Sequence, residues 1–124
     1  MNIIISNSSG RPIYEQITSQ LKQLILTGEL NPHDMLPSMR LLAKELRISV
    51  ITTKRAYEDL EKDGFIYTVV GKGSFVADTN RELLREEHLK RVEEYLEMAV
   101  RQARQAGISQ EDVKEMLQIL FEEA

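Results

Sequence analysis

The chain has 124 residues, room for one compact domain and a modest appendage. It contains no cysteine, which excludes a disulfide framework, a thiol nucleophile and a thiolate zinc site. Its 16 basic and 20 acidic residues give a formal net charge of −4, low for a nucleic-acid binder unless the charge is unevenly placed.

The opening residues, Met1-Asn2-Ile3-Ile4-Ile5-Ser6, lack the basic segment and long apolar run of a signal peptide, and no later stretch approaches a membrane span. A bacterial cytoplasmic location without membrane contact is expected. Ile13, Ile17, Leu21, Leu24 and Ile25 then recur at helical spacing, which predicts an amphipathic helix beginning near Pro12, with the proline in its first turn, and ending at Gly28.

Residues 36–76 predict a short helix, a tight turn, a second helix and a glycine-rich hairpin laid end to end. Ser38 follows Pro37 and can cap the first of these helices, whose Met39, Leu42, Ala43 and Leu46 form one apolar stripe. Arg40 is the odd residue. A cation in the first turn opposes the helix dipole, so it is either a tolerated surface arginine or a contact to phosphate or base.

Ser49 repeats the capping signal and leaves only Arg47 and Ile48 as the connection, a turn short enough to force a steep helix crossing. In the next helix Thr53, Ala56, Tyr57 and Leu60 share the core face, while Ile51, Arg55, Glu58 and Lys62 lie opposite with Thr52 and Lys54 on the flanks. Recognition helices read base edges with their N-terminal residues, which selects Ser49, Val50, Ile51, Thr52, Lys54 and Arg55. Arg55 or Lys54 could pair with guanine, and Ile51 could touch a thymine methyl or be an ordinary exposed residue.

Gly64 stands where a helix C′ residue belongs, and Phe65–Val70 and Ser74–Val76 flank Gly71, Lys72 and Gly73 as a hairpin with a cationic tip. Such a tip can reach phosphate or a minor groove, though taken alone it is also a plain soluble turn.

The acidity lies outside this unit. Residues 1–78 hold nine residues of each sign, whereas residues 79–124 hold seven basic and eleven acidic ones. There, Thr79-Asn80-Arg81-Glu82 has capping-box form, and Leu89, Val92, Leu96, Ala99, Ala103 and Ala106 step by three and four until Gly107. A looser box at Ser109-Gln110-Glu111-Asp112 opens a last helix with Val113, Met116, Leu117, Leu120 and Phe121 on one side. Together they predict a helical hairpin with an apolar seam suited to dimerisation. The alternative is packing of the tail onto its own N-terminal domain.

The ordered set Leu36-Pro37-Ser38-x-Arg40, Leu42-Ala43, Leu46, Ile48-Ser49, Thr52, Ala56-Tyr57, Leu60, Gly64 and Gly71-x-Gly73-x-Phe75-Val76 resembles the N-terminal domain of GntR transcription regulators. The likeness extends upstream through Pro12-Ile13-Tyr14-Glu15-Gln16-Ile17 and Gly28-Glu29-Leu30. It implies a winged helix-turn-helix in which Arg40, Ser49, Thr52, Lys54, Gly71 and Lys72 stand at DNA-contact positions. Val50 departs from the arginine often found there, and Pro32-His33-Asp34 from the usual Pro-Gly-Asp. The short tail resembles that of the YtrA-like group, whose members commonly control nearby transport operons.

The expected fold is thus mainly α with a small β wing: a winged helix-turn-helix over residues 1–78 followed by a dimerisation tail over residues 79–124. The expected function is a homodimeric regulator, a repressor, bound to a palindromic double-stranded operator. No cofactor or metal is expected, and an enzyme is disfavoured because the only histidines, His33 and His88, lie in polar surroundings. A winged-helix adaptor for protein contact is the rival reading. A small-molecule effector remains open; since a two-helix tail has no layer to enclose a drug-sized site of about 300–1,000 Å³, it would sit between subunits or between tail and wing domain.

Overall fold

The computed structural model describes residues 1–78 and 81–123. The elements in order are α1 (Ile13–Leu26), α2 (Met39–Leu46), α3 (Val50–Lys62), β1 (Ile66–Val69), β2 (Gly73–Val76), α4 (Arg81–Ala106) and α5 (Gln110–Glu123). They group into two compact units, Met1–Leu84 and Arg85–Ala124. The predicted capping box at Thr79 and Asn80 lies outside the described residues.

In the first unit the apolar stripes of three helices meet. Ile17, Leu21 and Ile25 of α1, Leu42 of α2, and Ala56, Tyr57 and Leu60 of α3 close on Phe65, just before the sheet, and on Ile66 and Val76 within it. Pro12 stands just before α1, at its N-cap, one position earlier than a first-turn proline. Ser38 and Ser49 cap α2 and α3 through Leu41 N and Ile51 N, as their spacing predicts. Two hydroxyls lock the crossing. Buried Thr53 donates to Met39 O at 3.0 Å, and Tyr57 donates to Pro37 O at 2.7 Å. Burial, with the charge of Glu45 added, holds the Tyr57 hydroxyl well above its ordinary ionisation range.

The end of α3 is a Schellman motif: Phe65 N–H bonds Leu60 O at 2.9 Å and Gly64 N–H bonds Glu61 O at 3.1 Å. Gly64 carries the left-handed φ of +83° that this turn requires. The chain therefore leaves α3 directly into β1, which pairs antiparallel with β2 from Ile66↔Val76 to Val69↔Gly73. The loop before α2 adds a third edge, because Leu36 N–H bonds Ser74 O at 2.9 Å and Val76 N–H bonds Asp34 O at 2.9 Å.

An N-terminal arm is clamped along α1 by two glutamines one helical turn apart. Gln20 exchanges two bonds with Ile4, at 2.9 and 2.7 Å, and Gln16 exchanges two with Ser6, at 2.8 and 2.9 Å. The match is geometric: four helical residues rise about 6 Å, close to the roughly 6.6 Å spanned by two extended residues. The arm alternates accordingly, with Ile3 buried, Ile4 exposed and Ile5 half-buried against the core.

Leu83, in the first turn of α4, packs against the core of the first unit and lies 3.5 Å from where a Cβ would stand on Gly64. Beyond it the second unit has little interior. Ala103 is its one buried apolar residue among those described, at 8% exposure, and Val113 is half-buried. Gly107 turns the chain and Ser109 caps α5 through Asp112 N at 3.1 Å, but α5 buries no residue. The two predicted tail helices are present, joined at Gly107 as an open elbow that buries little of their apolar seam. Leu89, Val92 and Leu96 of α4 and Leu117 and Leu120 of α5 are exposed, as is Ala99. Among the described residues no helix is long and apolar enough to cross a membrane.

Candidate nucleic-acid interface

The core face of α3 is fixed by Thr53, Ala56, Tyr57 and Leu60, so helical geometry turns Ile51 and Arg55 outward. Ile51 is 78% exposed, and Val50 and Lys54 are exposed beside it. Thr52 is half-buried on the flank, and Ser49 is exposed with its hydroxyl used as a cap. The outer face of α3's first two turns is thus free of the rest of the fold apart from one residue, Arg55.

Arg55 differs from the expectation of a free base reader. Its guanidinium lies 3.8 Å from the centroid of the Tyr14 ring, and its Nη2 donates to the Tyr14 hydroxyl at 3.0 Å. It is held against α1. Lys54 remains on the outward side, with Glu58 one turn on at a loose 3.9 Å, an exposed pair of little energetic weight. Arg40, second residue of α2, and Lys72 are exposed and enter none of the ion pairs found among the described residues.

The wing differs by one residue from the predicted tip. Gly73 belongs to β2 and pairs with Val69, so the tip is Val70, Gly71 and Lys72, closed by Lys72 N–H to Val69 O at 2.9 Å. Gly71 has φ +79° at the third turn position, where a type II turn needs glycine. Gly73 also carries a positive φ, +124°, and a Cβ there would stand 3.0 Å from Met35 Cε. Val70 is 96% exposed at the tip, a feature the sequence reading passed over.

Three further bonds brace the wing and the loop beside it. Thr68 N–H donates to Glu61 Oε1 of α3 at 3.2 Å, which ties the wing to the outward-facing helix. His33, read from sequence as a plain loop residue, bonds Tyr67 Oη at 2.9 Å and Asp78 Oδ2 at 3.2 Å. It carries φ +71°, the conformation that glycine would take at the same place.

In the second unit the elbow forms a cleft of about 320 Å³ lined by Val100, Ala103, Arg104, Ile108, Gln110 and Val113. It is an open cleft lined from both helices, not an enclosed site, and leaves standing the expectation that a two-helix tail has no layer to wall one off. Among the described residues no group of three or more histidine or carboxylate side chains converges as a metal site would require.

A helix pair, an outward third helix and a braced wing match known proteins. Residues 13–76 fit the family model of bacterial regulatory proteins of the gntR family. The HTH-type transcriptional repressor YtrA of Bacillus subtilis is 36% identical over 115 residues, 93% of this chain and 88% of that protein. A solved structure of YtrA from Sulfolobus acidocaldarius, described as a GntR-family transcription factor, is 34% identical, with a TM-score of 0.56 over 97% of each chain. The DNA-binding domain of AraR, solved in complex with operator ORX1, is 26% identical, with a TM-score of 0.55 over 62% of this chain and 96% of that one. The chain belongs to the GntR family of bacterial regulatory proteins, DNA-binding transcription regulators with a winged helix-turn-helix and not enzymes.

Proposed function

We propose that the chain is a homodimeric repressor that binds a near-palindromic operator, blocking a neighbouring operon of the transport class that YtrA-like regulators commonly control. The observation that carries the reading is the outer face of α3, capped by Ser49 and left open over Val50, Ile51 and Lys54. Val50 and Ile51 supply apolar contact to thymine methyls, and Lys54 and Thr52 the polar contacts, in the groove floor. Arg40 from α2 and Gly71 and Lys72 from the wing tip contact the backbone on either side.

The tail supports the dimer. Leu89, Val92 and Leu96 with Leu117 and Leu120 leave an apolar face uncovered on each helix, the kind of surface that a partner covers, and Ala99 admits close helix approach. Ala103 and Val113 line the cleft at the elbow and are assigned to the same assembly. A two-fold axis through the tails places two α3 helices on half-sites roughly 34 Å apart, or closer. Any effector is assigned to the elbow cleft or to the subunit interface.

The test is to purify the full chain, pass sheared DNA of its own genome over it and sequence what is retained. An inverted repeat upstream of a transport operon is the expected outcome. Retention of DNA with no shared motif, at any salt concentration, refutes the sequence-specific reading.

A further inference from the structure

Tyr14 and Arg55 are separated by 41 positions in the chain, yet the guanidinium stacks 3.8 Å from the ring centroid and bonds the hydroxyl at 3.0 Å. Arg55 is otherwise exposed and enters no ion pair found among the described residues, although the next turn of α3 carries Glu58 and Asp59. A guanidinium has five N–H donors, and the tyrosine takes one. The side chain thus stands ordered, fully charged and with most of its donors free, at the seam where α1 meets the outward face of α3.

On the reading that α3 enters the major groove, we propose that Tyr14 is a positioning residue that holds Arg55 off the base edges and presents it to a phosphate on the groove wall. Ile51, one turn earlier on the same face, points at the groove floor; Arg55 is drawn sideways from that line by a helix that does not itself enter the groove. A base-reading arginine must extend along the floor, whereas an arginine stacked on α1 can reach only the flank. The stack also orders a long side chain before DNA arrives, so less conformational freedom is lost on binding.

The experiment measures binding of the full chain to two fluorescein-labelled duplexes of equal length, a retained genomic fragment and its shuffled sequence, over a range of salt. Arg55→Ala is expected to weaken both duplexes alike and to flatten the slope of log affinity against log salt by about one unit, as loss of one phosphate contact does. Arg55→Lys keeps the charge but not the planar stack, so the slope should persist while affinity drops by about threefold to tenfold, the scale of ordering one long side chain. Tyr14→Leu should do the same, Tyr14→Phe should retain most of the affinity, and Tyr14→Leu with Arg55→Ala should bind no worse than Arg55→Ala alone.

Three results overturn the proposal: an unchanged slope in Arg55→Ala, a loss confined to the genomic fragment, or wild-type affinity in Arg55→Lys. The lysine variant leaves the core untouched and decides the positioning role even if Tyr14→Leu does not fold. Failure of the wild-type chain to bind either duplex refutes the DNA-binding reading itself and is visible before any variant is compared.

Discussion

Residues 1–84 and 85–124 are built on opposite terms. The first unit closes twelve buried apolar side chains from three helices, an arm and a sheet around one centre. The second is α4 from Arg85 onward and the 14-residue α5, with one buried alanine and with leucines facing outward along both. A 14-residue helix with no buried residue is marginal by itself in water, since helices in proteins are stabilised chiefly by packing an apolar face. The contrast teaches that the reading unit carries its own stability while the tail depends on something that covers it.

The largest effect should come from opening the first core. Leu60 is wholly buried where α3 meets the rest, and Leu60→Ala is expected to destabilise the unit by about 2–5 kcal/mol, the range for large-to-small changes at such sites. Leu120→Ala deletes the same atoms from an exposed position and should leave monomer stability nearly unchanged. Denaturant unfolding of both variants compares the units directly; equal losses would erase the distinction.

The same contrast explains what could be read from sequence. The core stripes of α1, α2 and α3, both serine caps and the hairpin were legible because burial imposes periods of 3.6 and 2 and because caps and turns demand particular residue types. The arm was not. Ile3-Ile4-Ile5 is too short to show a period, and its partner is a pair of glutamine amides, which give no hydropathy signal. Tyr14–Arg55 was hidden for a related reason: each residue is unremarkable alone, and only folding brings α1 beside α3. The tail was legible only in part, because a regular apolar seam shows where a helix is apolar without saying what covers it.

Gln16 sharpens the point. Its amide serves Ser6 N and O, Ser9 Oγ and Arg11 O, all within 3.1 Å, and it is nearly fully buried. Gln16→Leu keeps the bulk and removes these bonds, so a loss of about 1–3 kcal/mol is expected, with faster amide exchange over residues 3–6. Unchanged exchange would mean that Gln20 and Ile3 anchor the arm without Gln16.

For the tail, Leu96→Asp with Leu120→Asp puts two charges on the exposed apolar faces. On the proposed dimer, sedimentation should show a monomer for this variant and a dimer for the wild type, and helical circular dichroism should fall while the core of the first unit persists. Operator affinity should drop at least about tenfold, or 1.4 kcal/mol, because the second half-site contact is no longer linked to the first. A truncation after Leu84, which retains the side chain that packs against the first core, should behave alike. A wild-type chain that stays monomeric at micromolar concentration while bound to its operator would break the comparison at its weaker half.

The smallest effect tests whether the first unit is itself free of strain. The end of α2 has the Schellman pattern seen at the end of α3: Ile48 N–H bonds Ala43 O at 3.0 Å and Arg47 N–H bonds Lys44 O at 3.3 Å. At α3 the left-handed position is Gly64; at α2 it is Arg47, with φ 56° and ψ 50°. A side chain in that region costs roughly 1 kcal/mol, because Cβ crowds the following carbonyl, whereas glycine takes it freely. Arg47 is exposed and makes no ion pair found among the described residues that would offset the strain. Arg47→Gly is therefore expected to stabilise the first unit by up to about 1 kcal/mol, reduced by the greater freedom glycine gives the unfolded chain. A shift of the unfolding midpoint to higher denaturant with an unchanged slope is the signature. Destabilisation by the glycine would show that the Arg47 side chain contributes a contact worth more than the strain of holding it there.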